Sequence, residues 1–329
     1  MAENRIIKLE DVAELAGVSK TTVSRVLNNR GYLSEKTIQK VHAAMEELNY
    51  RPNAIARQLY NQKTNQVALV FPTVDDPFFA ELESELEKIF DQWGYRVLMG
   101  NSQNNPEKEK SYLKLLLTHQ VDGLIVGSHN QGISEYTQIT QPLVAIEWFV
   151  ADQVPIVSAD NYEGGRLAVQ RLLNDGCRYI IHTNYPDNGK TPSGLRQKAY
   201  EDLMRENNRQ PITYSVSFDV SNEEKEKIFR RIFEEHPEVD GIFADNDTNA
   251  SLIIRVGKKY GKHVPDNFKV VGFDGARITQ LLSPELTTVR QPIPEMAEQA
   301  AKLLLAQING EKNVQSIKLP VKLIESETA

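Results

Sequence analysis

The 329-residue sequence has a single cysteine, Cys177. That excludes an intramolecular disulfide and any cysteine-rich zinc site, and the lone thiol reads as a small interior residue. No apolar run approaches the roughly 18 residues that a membrane span needs. Met1 to Ile6 lead directly into an amphipathic pattern with no apolar stretch, which predicts no secretory signal and a cytoplasmic protein. Signatures of catalysis are also missing. There is no Gly-x-Gly-x-x-Gly behind a strand, no complete phosphate loop and no Gly-x-Ser-x-Gly elbow. The six histidines lack metal-ligand spacing. Asp245 to Asn249 imitates the start of a calcium loop, but Ala250 and Val256 stand where that loop needs glycine and glutamate. No enzyme, metal or cofactor is expected. What is present is ordinary globular composition, 40% hydrophobic and 25% charged, at a length that suggests about two domains.

Positive charge is in short supply overall, 38 Lys+Arg against 45 Asp+Glu for a net −7, which by itself argues against a nucleic-acid partner. The shortage is uneven. Residues 1–60 hold nine basic and seven acidic residues, net +2, and the remainder holds 29 against 38, net −9. An asymmetry of this kind suggests two jobs.

The first segment reads as three short helices. Leu9 to Ala16 is amphipathic and ends at Gly17. Ser19 caps a second helix, Lys20 to Asn28, with Val23, Val26 and Leu27 inward. Gly31 breaks it, and Ser34 caps a third helix with Ile38, Val41, Met45 and Leu48 at spacings of three and four. Two short helices joined by a tight glycine turn and braced by a third form a helix-turn-helix head. Any small three-helix domain could share the pattern. In the DNA-binding reading, the second helix enters the major groove and presents Lys20, Thr21, Thr22, Ser24, Arg25 and Asn28, all hydrogen-bond formers. Beyond Pro52, residues 53–60 read as a helix too short to stand alone in water, with Ile55 and Leu59 an apolar i, i+4 pair. It is either a linker docked on the next domain or a hinge that folds on DNA and wedges Leu59 into the minor groove.

Three stretches, Asp11 to Ser19, Thr22 to Asn28 and Leu48 to Leu59, resemble the lactose/galactose-repressor family of bacterial transcription regulators. The resemblance implies that Lys20, Thr21, Thr22 and Arg25 read the operator, with the outward-facing Ser24 expected beside them on the DNA. It implies that Asn28, Tyr50, Asn53 and Ala56 make backbone or hinge contacts, and that Leu59 is the wedge. It divides the chain into a head, residues 1–50, a hinge, 51–61, and an effector-binding and dimerisation core, 62–329.

From Gln66 onward, short apolar strands alternate with amphipathic helices: Val67 to Phe71, Arg96 to Met99, Gly123 to Val126, Leu143 to Ile146, Tyr179 to His182, Gly241 to Ala244 and Lys269 to Phe273, with helical stretches between them. Such runs imply parallel sheets covered on both faces. About ten strands over this length fit two doubly wound lobes better than one sheet, with ligands at the carboxyl ends of the strands. The fold class is an all-α helix-turn-helix head plus an α/β core. The resemblance gives that core the form of periplasmic sugar-binding proteins with three crossovers, lobe one being 62–160 and 292–323 and lobe two 161–291.

A sugar offers hydroxyl pairs and an apolar ring face, which carboxylates, amides, arginine and aromatic rings match. Residues of these types follow the strands: Asp75-Asp76-Pro77-Phe78-Phe79, Glu147-Trp148, Asp245-Asn246-Asp247 and Asp274-Gly275, with Arg196 opening a helix. Each acid taken singly is more often a helix cap than a ligand, and at least one Phe belongs to the core; their repetition at strand ends carries the reading. The resemblance implies effector contacts at Asp76, Phe78, Glu147, Arg196, Asn246, Asp274 and Gln291, with Arg196 held by Asp274 or Asp247; the strand-end reading adds Phe79, Trp148 and Asp247 to the expected effector site. Glu147-Trp148 departs from the Asp-Arg of many relatives and implies a differently shaped subsite. Gly31 to Thr37, Asn101 to Lys110, Val157 to Tyr162 and Pro192 to Arg196 look most like sucrose-operon repressors of Gram-positive bacteria. The expected protein is therefore a homodimeric repressor on a pseudo-palindromic operator, released by a small sugar or sugar phosphate, sucrose or a related fructoside. The alternatives are a ribose-operon repressor, a global catabolite regulator and, in another class, a transport-type sugar-binding protein.

Overall fold

The computed structural model describes residues 7–28, 30–51, 63–127, 130, 132–186, 191–192, 194–217, 220–312 and 314–329. It divides into two units, Met1–Thr64 and Asn65–Ala329.

In the first unit, α1 (Leu9–Ala16) ends at Gly17, whose φ of +65° suits glycine. α2 (Lys20–Leu27) starts at Ser19, whose hydroxyl accepts from the Thr22 N–H at 3.1 Å. α3 (Glu35–Glu47) starts in the same way at Ser34, with Thr37 N at 3.2 Å. Each cap is worth about 1 kcal/mol, which matters in helices this short. Val12, Ala13 and Ala16 of α1, Val23 and Val26 of α2, and Val41 and Ala44 of α3 form the buried centre.

The second unit holds two six-stranded sheets. β1 (Gln66–Phe71), α4 (Pro77–Gln92), β2 (Arg96–Asn101), α5 (Pro106–Leu117), β3 (Gly123–Val126), β4 (Leu143–Ile146) and β5 (Ile156–Ala159) build lobe one. Lobe two takes α6 (Asn161–Asn174), β6 (Ile180–Asn184), α7 (Gly194–Glu206), β7 (Thr213–Ser215), α8 (Asn222–Glu235), β8 (Gly241–Phe243), α9 (Asp247–Gly257), β9 (Lys269–Asp274), α10 (Arg277–Leu282) and β10 (Thr288–Arg290). The chain then returns to lobe one as α11 (Ile293–Ile308) and β11 (Ile317–Leu319), and crosses back as β12 (Lys322–Ile324). The sheet orders are β11-β5-β4-β3-β1-β2 and β12-β10-β9-β8-β6-β7. Pairing is parallel throughout except for β10 with β12. β12 places residues 322–324 in the second sheet, so lobe one ends before the expected 323. Three-residue strands such as β7, β10, β11 and β12 are too short to show a period, and the sequence reading does not resolve them.

α4 illustrates how sequence sets these elements. Asp76 caps it, Pro77 opens it, and Phe78, Phe79, Leu82, Leu86 and Phe90 bury one face at roughly 1.5–3 kcal/mol each. α6 begins at Asn161, three residues before the Gly164 expected from sequence, because Asp160 caps it through the Glu163 N–H at 3.2 Å. Gly164 and Gly165 lie inside that helix for a packing reason. A methyl group on Gly164 would meet the Phe273 ring at 2.7 Å, and one on Gly165 would meet the Arg196 carbonyl oxygen at 2.7 Å. Cys177 is buried, its thiol pushed up to about 12 by desolvation. Among the described residues no helix is long and apolar enough to cross a membrane.

Candidate functional site

Two constellations carry chemistry. The first is the outward face of α2. Lys20, Thr21 and Arg25 are exposed, and Thr22, Ser24 and Asn28 are partly buried beside them. Several of these side chains already have partners in the head. Lys20 pairs with Glu10 of α1, a hydrogen bond that lowers the Glu10 pKa. Arg25 Nε donates to the Arg30 carbonyl at 3.3 Å. Asn28 Nδ2 donates to the Ser24 carbonyl at 2.8 Å, and Thr22 shares a 2.9 Å hydroxyl contact with Ser19. Tyr50 packs against the head's apolar centre, and burial raises its pKa. Asn53, Ala56 and Leu59 lie outside the described residues. Tyr32, which the sequence reading passed over, is 95% exposed in the turn before α3.

The second constellation is a cavity of about 50 Å³ where strand carboxyl ends of the two lobes face each other. Eight of the ten expected effector residues line it: Asp76, Phe78, Phe79, Glu147, Arg196, Asn246, Asp274 and Gln291. Arg196 is its centre. The guanidinium carbon lies 3.6 Å above the Phe273 ring, Nε donates to Asn161 Oδ1 at 2.6 Å, and Nη1 donates to the Asp245 carbonyl at 3.0 Å. Nη2 makes no hydrogen bond among the described residues, and Arg196 lines the cavity. Burial lowers the Arg196 pKa, against the raising influence of Asp274, Glu147, Asp245 and Asp76. The expected holders are therefore corrected. Asn161 and a backbone carbonyl grip the guanidinium, and Asp274 acts on it through charge alone.

Asn161 also donates to Glu147 Oε2 at 2.7 Å. Glu147 completes its shell with the Ala159 N–H, and burial raises its pKa while Arg196 opposes the rise. Asp274 accepts from Gln291 Nε2 at 2.7 Å, and desolvation raises its pKa well above the usual carboxylate range. Gln291 Oε1 is buried with no hydrogen-bond partner among the described residues. Asp76 Oδ1 caps α4 through the Phe78 N–H at 2.9 Å, and Asn246 Oδ1 caps α9 through the Asn249 N–H at 2.8 Å. Both are helix caps that also line the cavity.

Two expected residues do not line it. Asp247 points away, with Oδ2 accepting from the Gly275 N–H and the Thr279 hydroxyl at 2.9 Å each, and Oδ1 from the Thr288 hydroxyl at 2.6 Å. Desolvation lifts its pKa to about 6. It ties α9 to the loop behind β9, a structural task. Trp148 stands behind the wall, edge to face with Tyr185 at 6.3 Å between ring centroids. Asn184, Tyr185 and Asp245 line the cavity in addition. Four carboxyl groups, Asp76, Glu147, Asp245 and Asp274, thus surround one guanidinium. The set can exchange hydrogen bonds with vicinal hydroxyls and cover a ring face with Phe78 and Phe79, and it resists an added anion. Among the described residues no cluster of His, Cys, Asp and Glu is placed to hold a metal.

Comparison with known proteins places both parts of the chain among described families. Residues 8–53 match the model of bacterial regulatory proteins of the lacI family, and residues 169–328 match that of the periplasmic binding protein-like domain. The sucrose operon repressor of Streptococcus mutans is 40% identical over 323 residues, covering 98% of this chain and 99% of that one. The Lac repressor dimer bound to operator and the anti-inducer ONPF superposes with a TM-score of 0.84 at 27% identity, over 98% of this chain and 99% of that one. A periplasmic binding protein/LacI transcriptional regulator of Alkaliphilus metalliredigens, complexed with D-xylulofuranose, does so with a TM-score of 0.72 at 34% identity, over 80% of this chain and 99% of that one.

Proposed function

The chain belongs to the lacI family of bacterial regulatory proteins and is a DNA-binding repressor of a sugar operon, not an enzyme; from that premise we propose that the signal it reads in the cytoplasm is a neutral sugar, sucrose or a related fructoside. The observation that carries this reading is Arg196, preset on Phe273 and Asn161 and lining the cavity. A planar guanidinium fork matches a pair of ring hydroxyls. The four carboxyl groups around it supply acceptors for further hydroxyls and oppose a phosphorylated ligand. The 40% identical relative is named a sucrose operon repressor, and the Alkaliphilus metalliredigens regulator holds a ketose furanose, the ring form of a fructosyl unit.

The head acts in pairs in this proposal. One small head buries too little surface for operator-level discrimination, and the Lac repressor neighbour is a dimer on its operator. Two exposed apolar surfaces of the core fit a second copy. β2 is an edge strand showing Leu98 and Met99, and α10 shows Leu281 and Leu282, each 74% exposed. An unpaired apolar edge invites pairing. A cavity of 50 Å³ holds a few water molecules, so a sugar enters by parting the lobes, and closure around it biases the core. The signal passes to the heads through the expected hinge, residues 51–61. Coupling of this kind is worth about 1–3 kcal/mol and is reciprocal.

The test is fluorescence anisotropy of the full chain on a labelled duplex from its own operon, titrated with sucrose, fructose, ribose and fructose 6-phosphate. Release by sucrose or fructose with the others inert is the expected result. Release by ribose alone, or by the phosphate alone, rejects the fructoside reading. Unchanged affinity with all four rejects the inducer model.

A further inference from the structure

Beside the effector cavity lies a larger one of about 400 Å³, within the ~300–1,000 Å³ range of small-molecule sites. Its described lining carries no charged side chain. Tyr136, Trp148 and Phe149 give it aromatic surface, and Asn130, Thr137 and Thr191 give it amide and hydroxyl groups. Trp148 is 3% exposed and meets Tyr185 edge to face. Tyr185 in turn lines the effector cavity. A ring lining one space therefore touches a ring lining the other.

The second cavity has a prepared floor. Glu109 of α5, 1% exposed, accepts from Asn130 Nδ2 at 2.6 Å and from the Tyr136 hydroxyl. The Tyr136 carbonyl is held by Gln153 Nε2 at 2.8 Å. A buried carboxylate committed to two wall residues fixes their positions before any ligand arrives, which lowers the ordering cost of binding. Thr191 comes from lobe two, five residues ahead of Arg196, while the other wall residues come from lobe one. The pocket therefore spans the same lobe boundary as the effector cavity.

We propose that this pocket is the subsite for the second ring of a disaccharide whose first ring sits against Arg196, an inference that rests on the sugar reading of the first cavity. The chemistry divides between the two spaces. The first, crowded with acids around one guanidinium, reads hydroxyl geometry. The second, uncharged and aromatic, takes the C–H face of a neutral ring against Trp148 and Phe149 and leaves its hydroxyls to Asn130, Thr137 and Thr191. A ligand that spans both moves the Tyr185 ring off Trp148.

Titration calorimetry of the full chain with fructose, glucose and sucrose tests this, comparing wild type with Phe149→Ala and Phe149→Tyr. Phe149 is 41% exposed, so its truncation spares the fold. The expected result is that sucrose binds wild type more tightly than either monosaccharide, that Phe149→Ala loses about tenfold for sucrose with monosaccharide affinity unchanged, and that Phe149→Tyr recovers the loss. If fructose binds but sucrose binds no tighter, or Phe149→Ala weakens both alike or neither, the second-ring subsite is overturned while the effector reading stands. If no sugar binds wild type, the effector reading fails and the subsite fails with it.

Discussion

Arg277 of lobe two clasps Glu81 of lobe one. Its backbone N–H donates to Glu81 Oε2 at 2.6 Å, its Nε lies 3.1 Å from Oε1, and its Nη2 reaches Glu85 at 2.7 Å. The Glu81 side chain is 5% exposed, and it belongs to α4, the helix that Asp76 caps beside the cavity. Removing the arginine leaves a buried carboxylate short of its cation. We expect Arg277→Ala to cost the core about 1–3 kcal/mol in urea denaturation and to weaken sugar binding. Arg277→Lys should recover part of it, since an ammonium cannot span both carboxylates. Unchanged stability and sugar affinity in Arg277→Ala would show that the clasp contributes nothing.

Asn161 is the joint between Glu147 and Arg196. Asn161→Ala strips one charge-assisted hydrogen bond from each, at roughly 1.5–3 kcal/mol apiece. Sugar affinity should fall by at least tenfold, while operator affinity without sugar stays at the wild-type value. Calorimetry and anisotropy read the two halves separately, and intact sugar affinity would dismiss the joint.

Lys20 must leave Glu10 to reach DNA. Lys20→Ala should weaken operator binding and reduce the slope of log affinity against log salt by about 1 for each head. Thr21→Ala, with no charge to lose, should leave the slope alone and change the base preference instead. Identical salt slopes for Lys20→Ala and wild type would remove Lys20 from the interface.

Glu83 of α4 is 5% exposed, its Oε1 lacks a hydrogen-bond partner among the described residues, and burial lifts its pKa to about 7 from 4.5. The folded state therefore holds this proton over pH 4.5–7 when the unfolded chain has released it. Its contribution to stability is full below pH 4.5 and is lost as pH rises through 7. Glu83→Gln should flatten that decline and stabilise the protein at pH 8 by some fraction of ~3 kcal/mol. Parallel stability curves for the two proteins would refute it. His182 has the opposite sign: burial depresses its pKa to about 3, so its contribution is present above pH 6.5 and is lost on acidification. Both proteins share that background.

The head helices and the long strands were legible because periods of 3.6 and runs of four or more apolar residues suffice to find them. Asp76, Glu147 and Asp274 were legible because each follows a strand, and Arg196 because it opens a helix; Asp245 also follows a strand but was not expected in the site. Trp148 does not line the cavity around Arg196 that its neighbour Glu147 lines, and the chain turns at Glu147, whose φ is +55°. Asp247 was misplaced because the first position of α9 aims its carboxylate at Gly275, Thr279 and Thr288. Asn184 and Tyr185 were missed because β6 continues through the polar Thr183-Asn184, past the apolar run that marked its end. Asn161, which the sequence reading left ahead of the helix it opens, shows its role through partners that are distant in the chain.

The glycine pair inside α6 leaves a genetic signature. Gly165 faces the backbone of Arg196 with no room for a methyl group, and every missense change of a glycine codon adds at least one carbon. Such an allele should displace the segment that carries Arg196, the arginine proposed to read the sugar, and leave the head untouched. Cells carrying it would keep the operon shut in the presence of its sugar, and in a selection for loss of growth on that sugar this codon should recur among alleles that still make full-length repressor.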